Sequence, residues 1–362
     1  LLAGNAVVQK PDNQTALVAL YALDLARRAG LPEDLWQIVL GRGSAIGTPL
    51  LDIADYVMFT GSTASGRRIA AEAGERLIGC SLELGGKNAM LVLDDADLDR
   101  TVEGAVRACF SSSGQLCISI ERMYVADAVW DDFVPRFVRT VKDMPIGPGY
   151  DFSNQMGSLT NTEQLEVTQA HVQNALDAGA TLLAGGRARP DLGPLFYEPT
   201  VLTDVDASMT CFGEETFGPV VSLYRYSDLD DAIERANATS YGLNASVWSG
   251  SGCRGREVAA RLRDVLAGQA GRETAEIFQR IGAGGRIRHQ RFLQRLAGVE
   301  GFQERQRAVA VAHDVGRAAQ DAAAFHPGHR GPGRLCLPRG CERPLDDRRR
   351  RRMDLAEAVA AG

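Results

Sequence analysis

The sequence predicts an α/β protein whose strands form a parallel, doubly wound sheet. Three observations support this fold class: short apolar runs alternate with segments that carry apolar residues at helical spacing, glycines separate the two, and the alternation stops near Arg263. The first two indicate repeated strand–helix units. The third indicates that the remaining residues form an irregular tail.

The first strand–helix unit lies at the beginning of the sequence. Asn5–Lys10 is a short apolar run that ends at Pro11, and Thr15–Ala29 then carries apolar residues at helical spacing up to Gly30. The order is therefore strand, turn and helix. It continues with a strand at Leu35–Leu40, a helix opened by Gly41, Gly43 and Gly47, and a strand at Tyr56–Thr60.

A later helix leads the chain towards Cys117. An acidic start at Asp94, Asp95 and Asp97 suits the positive end of a helix dipole. The residues that then share one apolar face are Leu98, Val102, Ala105, Val106 and Cys109. Further helices are predicted at Thr162–Ala178 and Leu229–Asn237, and further strands at Thr200–Leu202 and Val220–Tyr224.

The composition is that of a soluble globular protein. Of the 362 residues, 45% are hydrophobic and 24% are charged, and this length is enough for two domains. The seven cysteines show no disulfide-framework spacing, and no apolar run has the length that a bilayer requires. Since no basic-then-apolar leader is present either, we expect a cytoplasmic protein without a membrane partner.

The residues with the clearest chemistry are a cysteine and a carboxylate. Gly114–Cys117 is a glycine turn that places a thiol beyond a helix, where backbone amides could lower its pKa. Glu83 lies 34 residues earlier, just before Gly85 and Gly86, and a carboxylate near a thiol suggests a general base. Each residue also has an ordinary alternative, because free cysteines are often buried and isolated glutamates are usually surface charges.

Four segments together resemble the signatures of the aldehyde dehydrogenase superfamily. They stand in the family's order and spacing, and the likeness runs from Leu1 to about Arg263. The segments are Phe59–Thr63 with Gly66, Glu83–Lys87, Gly114–Cys117 and Glu215–Pro219. Within the family, Cys117–Tyr124 and Gly185–Thr200 most resemble bacterial succinate-semialdehyde dehydrogenases.

The resemblance implies the NAD(P)-dependent oxidation of an aldehyde, with succinate semialdehyde as the expected small-molecule substrate. Cys117 then forms a thiohemiacetal and a thioester, and Glu83 activates the water that hydrolyses the thioester. The implied fold is a partial Rossmann-like cofactor domain over residues 1–84 and an α/β catalytic domain over residues 85–263. Residues 264–362 are expected to form a poorly ordered tail. Arg122 is near Cys117 in sequence, but this alone does not assign it to the substrate carboxylate.

The expected cofactor is NADP or NAD. Gly61 and Ser62 stand between a strand and a helix start, where free amides favour a pyrophosphate. By the resemblance, Lys10 binds the adenosine ribose, Glu215 binds the nicotinamide ribose, and Phe217 also contacts the cofactor. Asn13 stands where many NAD-preferring members carry a Glu. Because a neutral side chain does not repel a 2′-phosphate, we expect NADP to be tolerated or preferred.

The sequence also departs from the family. The Pro-Trp-Asn loop is not found, and loss of its oxyanion-stabilising Asn costs roughly 3–4 kcal/mol of transition-state stabilisation. Ser112 replaces the usual Asn of the cysteine loop. Beyond Arg263 the final strands and the oligomerising hairpin are not recognisable, so much of the expected homo-oligomer interface is missing. Two alternatives therefore remain open: a truncated, non-catalytic remnant, or the same chemistry on another aldehyde.

The tail differs from the body in charge. Residues 1–249 hold 18 Lys and Arg against 33 Asp and Glu, whereas residues 250–362 hold 22 against 13. A frameshifted reading of a GC-rich gene would produce such an Arg-rich segment. His326, His329, Cys336 and Cys341 could offer zinc ligands, but their irregular spacing favours no metal site. Arg348–Arg352 without a fold predicts no specific nucleic-acid partner.

Overall fold

The computed structural model describes residues 1–149 and 152–263, and the backbone of residues 266–269. The described residues fall into two compact units. Unit 1 comprises residues 1–59 and 64–82, and unit 2 comprises residues 60–63 and the described residues from 83 onwards. Most of the predicted tail, including its histidines, its last two cysteines and its basic run, lies outside the described residues.

Unit 1, in its described part, is built from two pairs of strands and from helices. In chain order the elements are β1 (Val7–Gln9), α1 (Ala16–Arg28), a 3₁₀ turn (Glu33–Leu35), β2 (Trp36–Ile38), α2 (Gly43–Ile53), β3 (Tyr56–Thr60), α3 (Thr63–Glu75) and β4 (Gly79–Glu83). One end residue each of β3, α3 and β4 falls in unit 2. Strand β1 pairs with β2 in parallel, and β3 pairs with β4.

Unit 2 contains the main sheet. Its elements are β5 (Asn88–Val92), α4 (Leu98–Phe110), a 3₁₀ turn (Ser111–Gly114), β6 (Ile120–Ala126), α5 (Asp127–Lys142), α6 (Thr162–Asp177), β7 (Thr181–Ala184), β8 (Thr200–Thr203), α7 (Thr210–Gly213), β9 (Val220–Tyr226), α8 (Leu229–Asn237), β10 (Asn244–Trp248), α9 (Gly252–Ala259) and β11 (Leu266–Gln269). The strand order is β11-β10-β5-β6-β9-β8-β7, and β7 alone runs antiparallel to its neighbour.

The core of unit 2 surrounds β5 and β6, and these two strands are buried along their whole length. Such strands read as nearly continuous apolar runs, because a parallel sheet is covered on both faces. Helix α4 contributes the apolar face that its sequence predicts, and Cys109 on that face is inaccessible to solvent. The side chain of Asp97 caps the helix by accepting from the Arg100 amide at 3.3 Å. The cap and the buried face together fix the entry into the Cys117 segment.

The predicted fold class is confirmed, with one difference in the tail. The strand at Tyr56–Thr60 and the helix at Leu229–Asn237 have the predicted bounds, and the other predicted elements agree within a few residues. The expectation that no strand follows Arg263 is wrong, since Leu266 to Gln269 form β11, parallel to β10. Without β11, β10 would be the edge strand of the sheet, with unpaired backbone N–H and C=O groups. Pairing with these groups can form a strand that the local sequence pattern does not predict.

Of the helices that the structure describes, none combines the length and the apolar composition needed to cross a bilayer.

Candidate active site

Cys117 follows a turn whose backbone lies in the left-handed region. Ser112, Ser113 and Gly114 have φ angles of 53°, 58° and 69°. A Cβ on Gly114 would lie 2.1 Å from the carbonyl oxygen of Gly218, so only glycine fits this position. The hydroxyl of Ser113 supports the turn by donating to the Gly157 carbonyl oxygen at 2.9 Å. The predicted glycine turn is therefore present.

Two asparagine side chains donate hydrogen bonds to the backbone of the Cys117 segment. Asn88 Nδ2 donates to the carbonyl oxygens of Cys117 at 2.8 Å and Ser119 at 2.7 Å. Asn244 Nδ2 donates to the Ile118 carbonyl oxygen at 2.9 Å. Three consecutive carbonyl groups are thus bound by side-chain amides. This contact set ties the segment to the first residues of β5 and β10.

The Cys117 thiol is half-buried, and its pKa moves in the direction opposite to the sequence-based expectation. Burial raises the pKa of the thiol, and the negative charges of Glu83 and Glu215 raise it further. The backbone amides of Cys117 and Ile118 lower the pKa, as expected, but they are outweighed. A thiol in these surroundings needs a base to become a nucleophile at neutral pH.

Glu83 lies at the end of β4 with its side chain exposed. Its negative charge raises the pKa of the Cys117 thiol, so the carboxylate lies within electrostatic range of the sulfur. Its carbonyl oxygen accepts from the Gly61 amide at 3.0 Å. The expectation of a free amide at Gly61 is therefore wrong, because pairing along β3 and β4 uses this donor.

Glu215 is half-buried against the two glycines that follow Glu83. Its Oε1 accepts from the Gly86 amide at 2.8 Å, and a Cβ on Gly85 would lie 2.1 Å from its Oε2. Burial raises the pKa of Glu215, and the hydrogen bond from Gly86 opposes this shift. Because Gly85 has no side chain, the Glu215 carboxylate can occupy this space.

A buried ion pair contacts the backbone that follows Glu215. Lys87 Nζ lies 2.5 Å from Glu121 Oε2, and these side chains are only 2% and 3% exposed. Glu121 also accepts from the amide of Thr216, at 2.9 Å and 3.1 Å, and from that of Phe217 at 3.0 Å. Phe217 has a φ of 52°. The carboxylate therefore holds the tight bend that directly follows Glu215.

A β-bulge in β6 lies at Glu121, next to Arg122. Asn88 is opposite Ile120, but the next residue, Ala89, is opposite Arg122, so Glu121 is the extra residue. Arg122 Nε donates to the Lys87 carbonyl oxygen at 2.8 Å, and Nη2 donates to that of Ala236 at 2.9 Å. This guanidinium is buried, and it donates to backbone carbonyl groups.

The predicted residues for the adenosine ribose lie in unit 1. Lys10 is half-buried, and its Nζ donates to the Pro11 carbonyl oxygen at 2.6 Å. Asn13 is exposed. The other predicted residues, namely Gly61, Ser62, Glu83, Cys117, Glu215 and Phe217, belong to unit 2.

The sequence matches a known family over all of its described residues. The model of the aldehyde dehydrogenase family matches residues 1–276, which is more than half of the chain. The chain belongs to the aldehyde dehydrogenase family. The match extends slightly beyond Arg263, where the likeness was expected to end.

Individual aldehyde dehydrogenases show the same extent of similarity. A Mycobacterium tuberculosis protein named "Putative succinate-semialdehyde dehydrogenase [NADP(+)] 2" is 56% identical over 263 residues, covering 73% of this chain and 51% of its own length. The crystal structure of succinate-semialdehyde dehydrogenase from Burkholderia pseudomallei matches with a TM-score of 0.70 and 36% identity, over 73% of this chain and 55% of that one. Betaine aldehyde dehydrogenase from Staphylococcus aureus in complex with NAD+ gives a TM-score of 0.70 and 33% identity, over 73% and 54%. The chain thus spans about half the length of the relatives it matches.

Four residues that build this site have no role predicted from the sequence, namely Lys87, Asn88, Glu121 and Asn244. A partial signal exists for Glu121, because the two charges of Glu121 and Arg122 interrupt the otherwise apolar strand Ile120–Ala126. Asn244 lies next to Asn88 because β10 pairs with β5, and no local pattern in the sequence predicts this pairing.

Proposed function

We propose that this chain carries the catalytic residues of an aldehyde oxidation, with Cys117 as the nucleophile, Glu83 as the general base and succinate semialdehyde as the substrate. The observation that carries the proposal is the setting of the Cys117 thiol, which lies within electrostatic reach of Glu83 on a turn whose amides act on the sulfur. The similarity to the mycobacterial relative supports the choice of substrate.

The first step is the formation of a carbon–sulfur bond. Glu83 accepts the thiol proton, because burial and nearby carboxylates disfavour spontaneous ionisation. The sulfur attacks the carbonyl carbon, and the carbonyl oxygen takes up the negative charge of a thiohemiacetal. When bound, the oxidised nicotinamide supplies a hydride acceptor, and loss of the hydride leaves a thioester on Cys117.

Hydrolysis then restores the enzyme. Glu83 is exposed, so the proton that it accepted can pass to solvent. The carboxylate next removes a proton from water, the water oxygen bonds to the thioester carbon, and the carbon–sulfur bond breaks. The products are the carboxylic acid and the free thiol.

The residues present fit a nicotinamide dinucleotide. Glu215 is fixed by Gly86 through one oxygen, which leaves the other for ribose hydroxyls, and Phe217 follows it. Helix α3 begins just after Gly61 and Ser62, so its N-terminus can bind a pyrophosphate. Gly61 has no side chain that would block the approach of the pyrophosphate to the backbone.

For the adenosine ribose, Lys10 donates one hydrogen bond to its neighbour and keeps further donors. Asn13 adds no negative charge, which favours NADP+.

The test is an assay of NADP+ reduction by the full chain with succinate semialdehyde. We expect turnover that Cys117→Ala abolishes and that Cys253→Ala, at an exposed cysteine elsewhere, leaves unchanged. Glu83→Gln should lower the rate by roughly 10²–10⁴-fold, the usual contribution of a general base. Comparing kcat/KM for NADP+ and NAD+ tests the role of Asn13, and a strong preference for NAD+ would contradict it.

Two outcomes would overturn the proposal in different ways. Faster turnover of betaine aldehyde or an aliphatic aldehyde would replace the substrate but keep the chemistry. A folded chain without turnover of any aldehyde would contradict the proposed chemistry itself.

A further inference from the structure

Asn88 and Asn244 donate to the backbone carbonyl groups of Cys117 and Ile118, and we call this pair of residues the asparagine bridge. In the parallel register of β5 and β10, Ala89 is opposite Ala245, so the two asparagines that precede them lie side by side. Asn88 Oδ1 accepts from the Asn244 backbone amide at 3.1 Å. Asn88 is 2% exposed, and a Cβ on Gly86 would lie 2.4 Å from its Oδ1. The bridge is therefore fixed in one orientation.

The bridge determines the direction of the peptide groups that follow Cys117. Because a peptide bond is planar and trans, fixing a carbonyl group also fixes the N–H of the next residue. The bond from Asn88 to the Cys117 carbonyl fixes the N–H of Ile118, and the bond from Asn244 to the Ile118 carbonyl fixes the N–H of Ser119. The Ser119 N–H that Asn244 orients does not face the sulfur but donates to Leu116 O at 2.9 Å. Fixing the Leu116 carbonyl fixes the N–H of Cys117 in the same way, so Asn244 acts on the Cys117 amide through Ser119.

We propose that Asn88 and Asn244 are positioning residues for the Cys117 nucleophile, which they serve by aiming backbone amides at its sulfur. The inference rests on the proposed function in so far as Cys117 is the nucleophile. It goes further, because it assigns a role to two residues outside the proposed pair of nucleophile and base. The amides of Cys117 and Ile118 are the groups that favour the thiolate against burial and the carboxylates of Glu83 and Glu215.

A role in packing alone makes a different prediction from a role in positioning. If the side-chain amides only satisfied buried carbonyls, their loss would lower stability and leave the thiol unchanged. If they aim the amides at the sulfur, their loss also removes stabilisation of the thiolate. The pH dependence of thiol reactivity separates the two, because it reports the thiolate fraction directly.

The experiment measures the alkylation rate of Cys117 by iodoacetamide across pH in the full chain, read at the Cys117 peptide by mass spectrometry. The variants are Asn88→Leu and Asn244→Leu. We expect each to move the midpoint to higher pH by about one unit, so that alkylation at neutral pH slows roughly tenfold. The matched control is Asn237→Leu, whose side chain donates to the Arg261 carbonyl at 3.1 Å and accepts from the Arg263 amide at 2.8 Å. Its profile should equal that of the unaltered chain.

Folded variants with an unmoved midpoint would overturn the proposal. Asn244→Ala, at a half-buried position, provides the same test if Asn88→Leu does not fold. The assay needs neither aldehyde nor cofactor, so a shifted profile in a chain without dehydrogenase activity would refute the proposed function and leave this inference standing. With activity present, the variants should lower kcat and leave the KM for the cofactor unchanged.

Discussion

Gly114 shows how closely the backbone constrains the approach to Cys117. Its φ of 69° is unfavourable for a residue with a side chain, and an added Cβ would lie 2.1 Å from a backbone oxygen that cannot move alone. We expect Gly114→Ala to lower the free energy of unfolding by at least about 2 kcal/mol, since strain and overpacking add. Urea unfolding measures the loss, and Cys117 alkylation reports the displaced turn.

Gly157 provides the matched control for this prediction. It is exposed, and a Cβ built on it would meet no atom within 4 Å. Gly157→Ala should therefore change the free energy of unfolding by less than about 1 kcal/mol. Equal losses in the two variants would show that the turn tolerates a side chain and that its geometry is not constrained as described.

At the scale of residues, the sequence predicts the reacting groups better than their surroundings. The glycine turn and the nearness of Glu83 to Cys117 follow from motif and spacing. The direction of the thiol pKa does not, because it depends on burial and on two carboxylates from distant segments. The partner of the Gly61 amide is likewise set by strand pairing, which a motif does not encode.

At the scale of elements, the bulge in β6 has the largest consequence. The extra residue interrupts the regular alternation of side chains at Glu121 and Arg122, and both of these side chains contact Lys87. Arg122 holds this segment through the Lys87 carbonyl, and Glu121 holds it through the Lys87 ammonium. One irregularity thus joins the Glu83, Cys117 and Glu215 segments.

The Lys87–Glu121 pair should be costly to break and cheaper to remove. Glu121→Gln alone leaves a buried ammonium without its partner, and we expect a loss of roughly 3–5 kcal/mol in the free energy of unfolding. In the double variant Lys87→Met with Glu121→Gln, no unpaired charge remains, while a carbonyl oxygen can still accept from Thr216 or Phe217. Part of the stability should return, as urea unfolding would show.

The exposed pair Glu103–Arg107 on α4 is the control, with side chains 67% and 76% exposed. Glu103→Gln should cost about 0.5 kcal/mol or less. If Glu121→Gln cost no more than Glu103→Gln, the buried pair would not hold the bend after Glu215, and the account of this element would be wrong.

Elements with one apolar face are predictable here, and elements buried on both faces are harder to recognise. The pattern identifies α4, and the alternation of β3 is visible in its burial. The strands Asn88–Val92 and Ile120–Ala126 are not predicted from the sequence, because a strand covered on both sides lacks a polar face that would reveal its period.

At the scale of the whole molecule, histidine is the side-chain type that ordinarily changes charge between about pH 5 and about pH 8. Residues 1–263 contain one histidine, His171. Its Nδ1 lies 3.1 Å from the Thr216 hydroxyl, within the network around Lys87 and Glu121. Burial lowers the pKa of His171, Lys87 lowers it further, and Glu121 and Glu214 partly oppose this.

The lowered pKa of His171 predicts how stability depends on pH. The unfolded chain binds the imidazole proton near its ordinary pKa of about 6.5, whereas the folded chain binds it only at lower pH. The unfolded state therefore holds more protons below that value, so His171 should reduce stability as the pH falls from about 6.5 through the folded pKa, and it should have no effect above about 7.5. Urea midpoints between about pH 8 and about pH 5 measure the slope. The His171→Gln variant has no imidazole to protonate, so its curve should be flatter over this window. The difference between the two curves separates the contribution of His171 from that of the carboxylates. Parallel curves would show that His171 is protonated equally in both states and that its burial carries no energetic consequence.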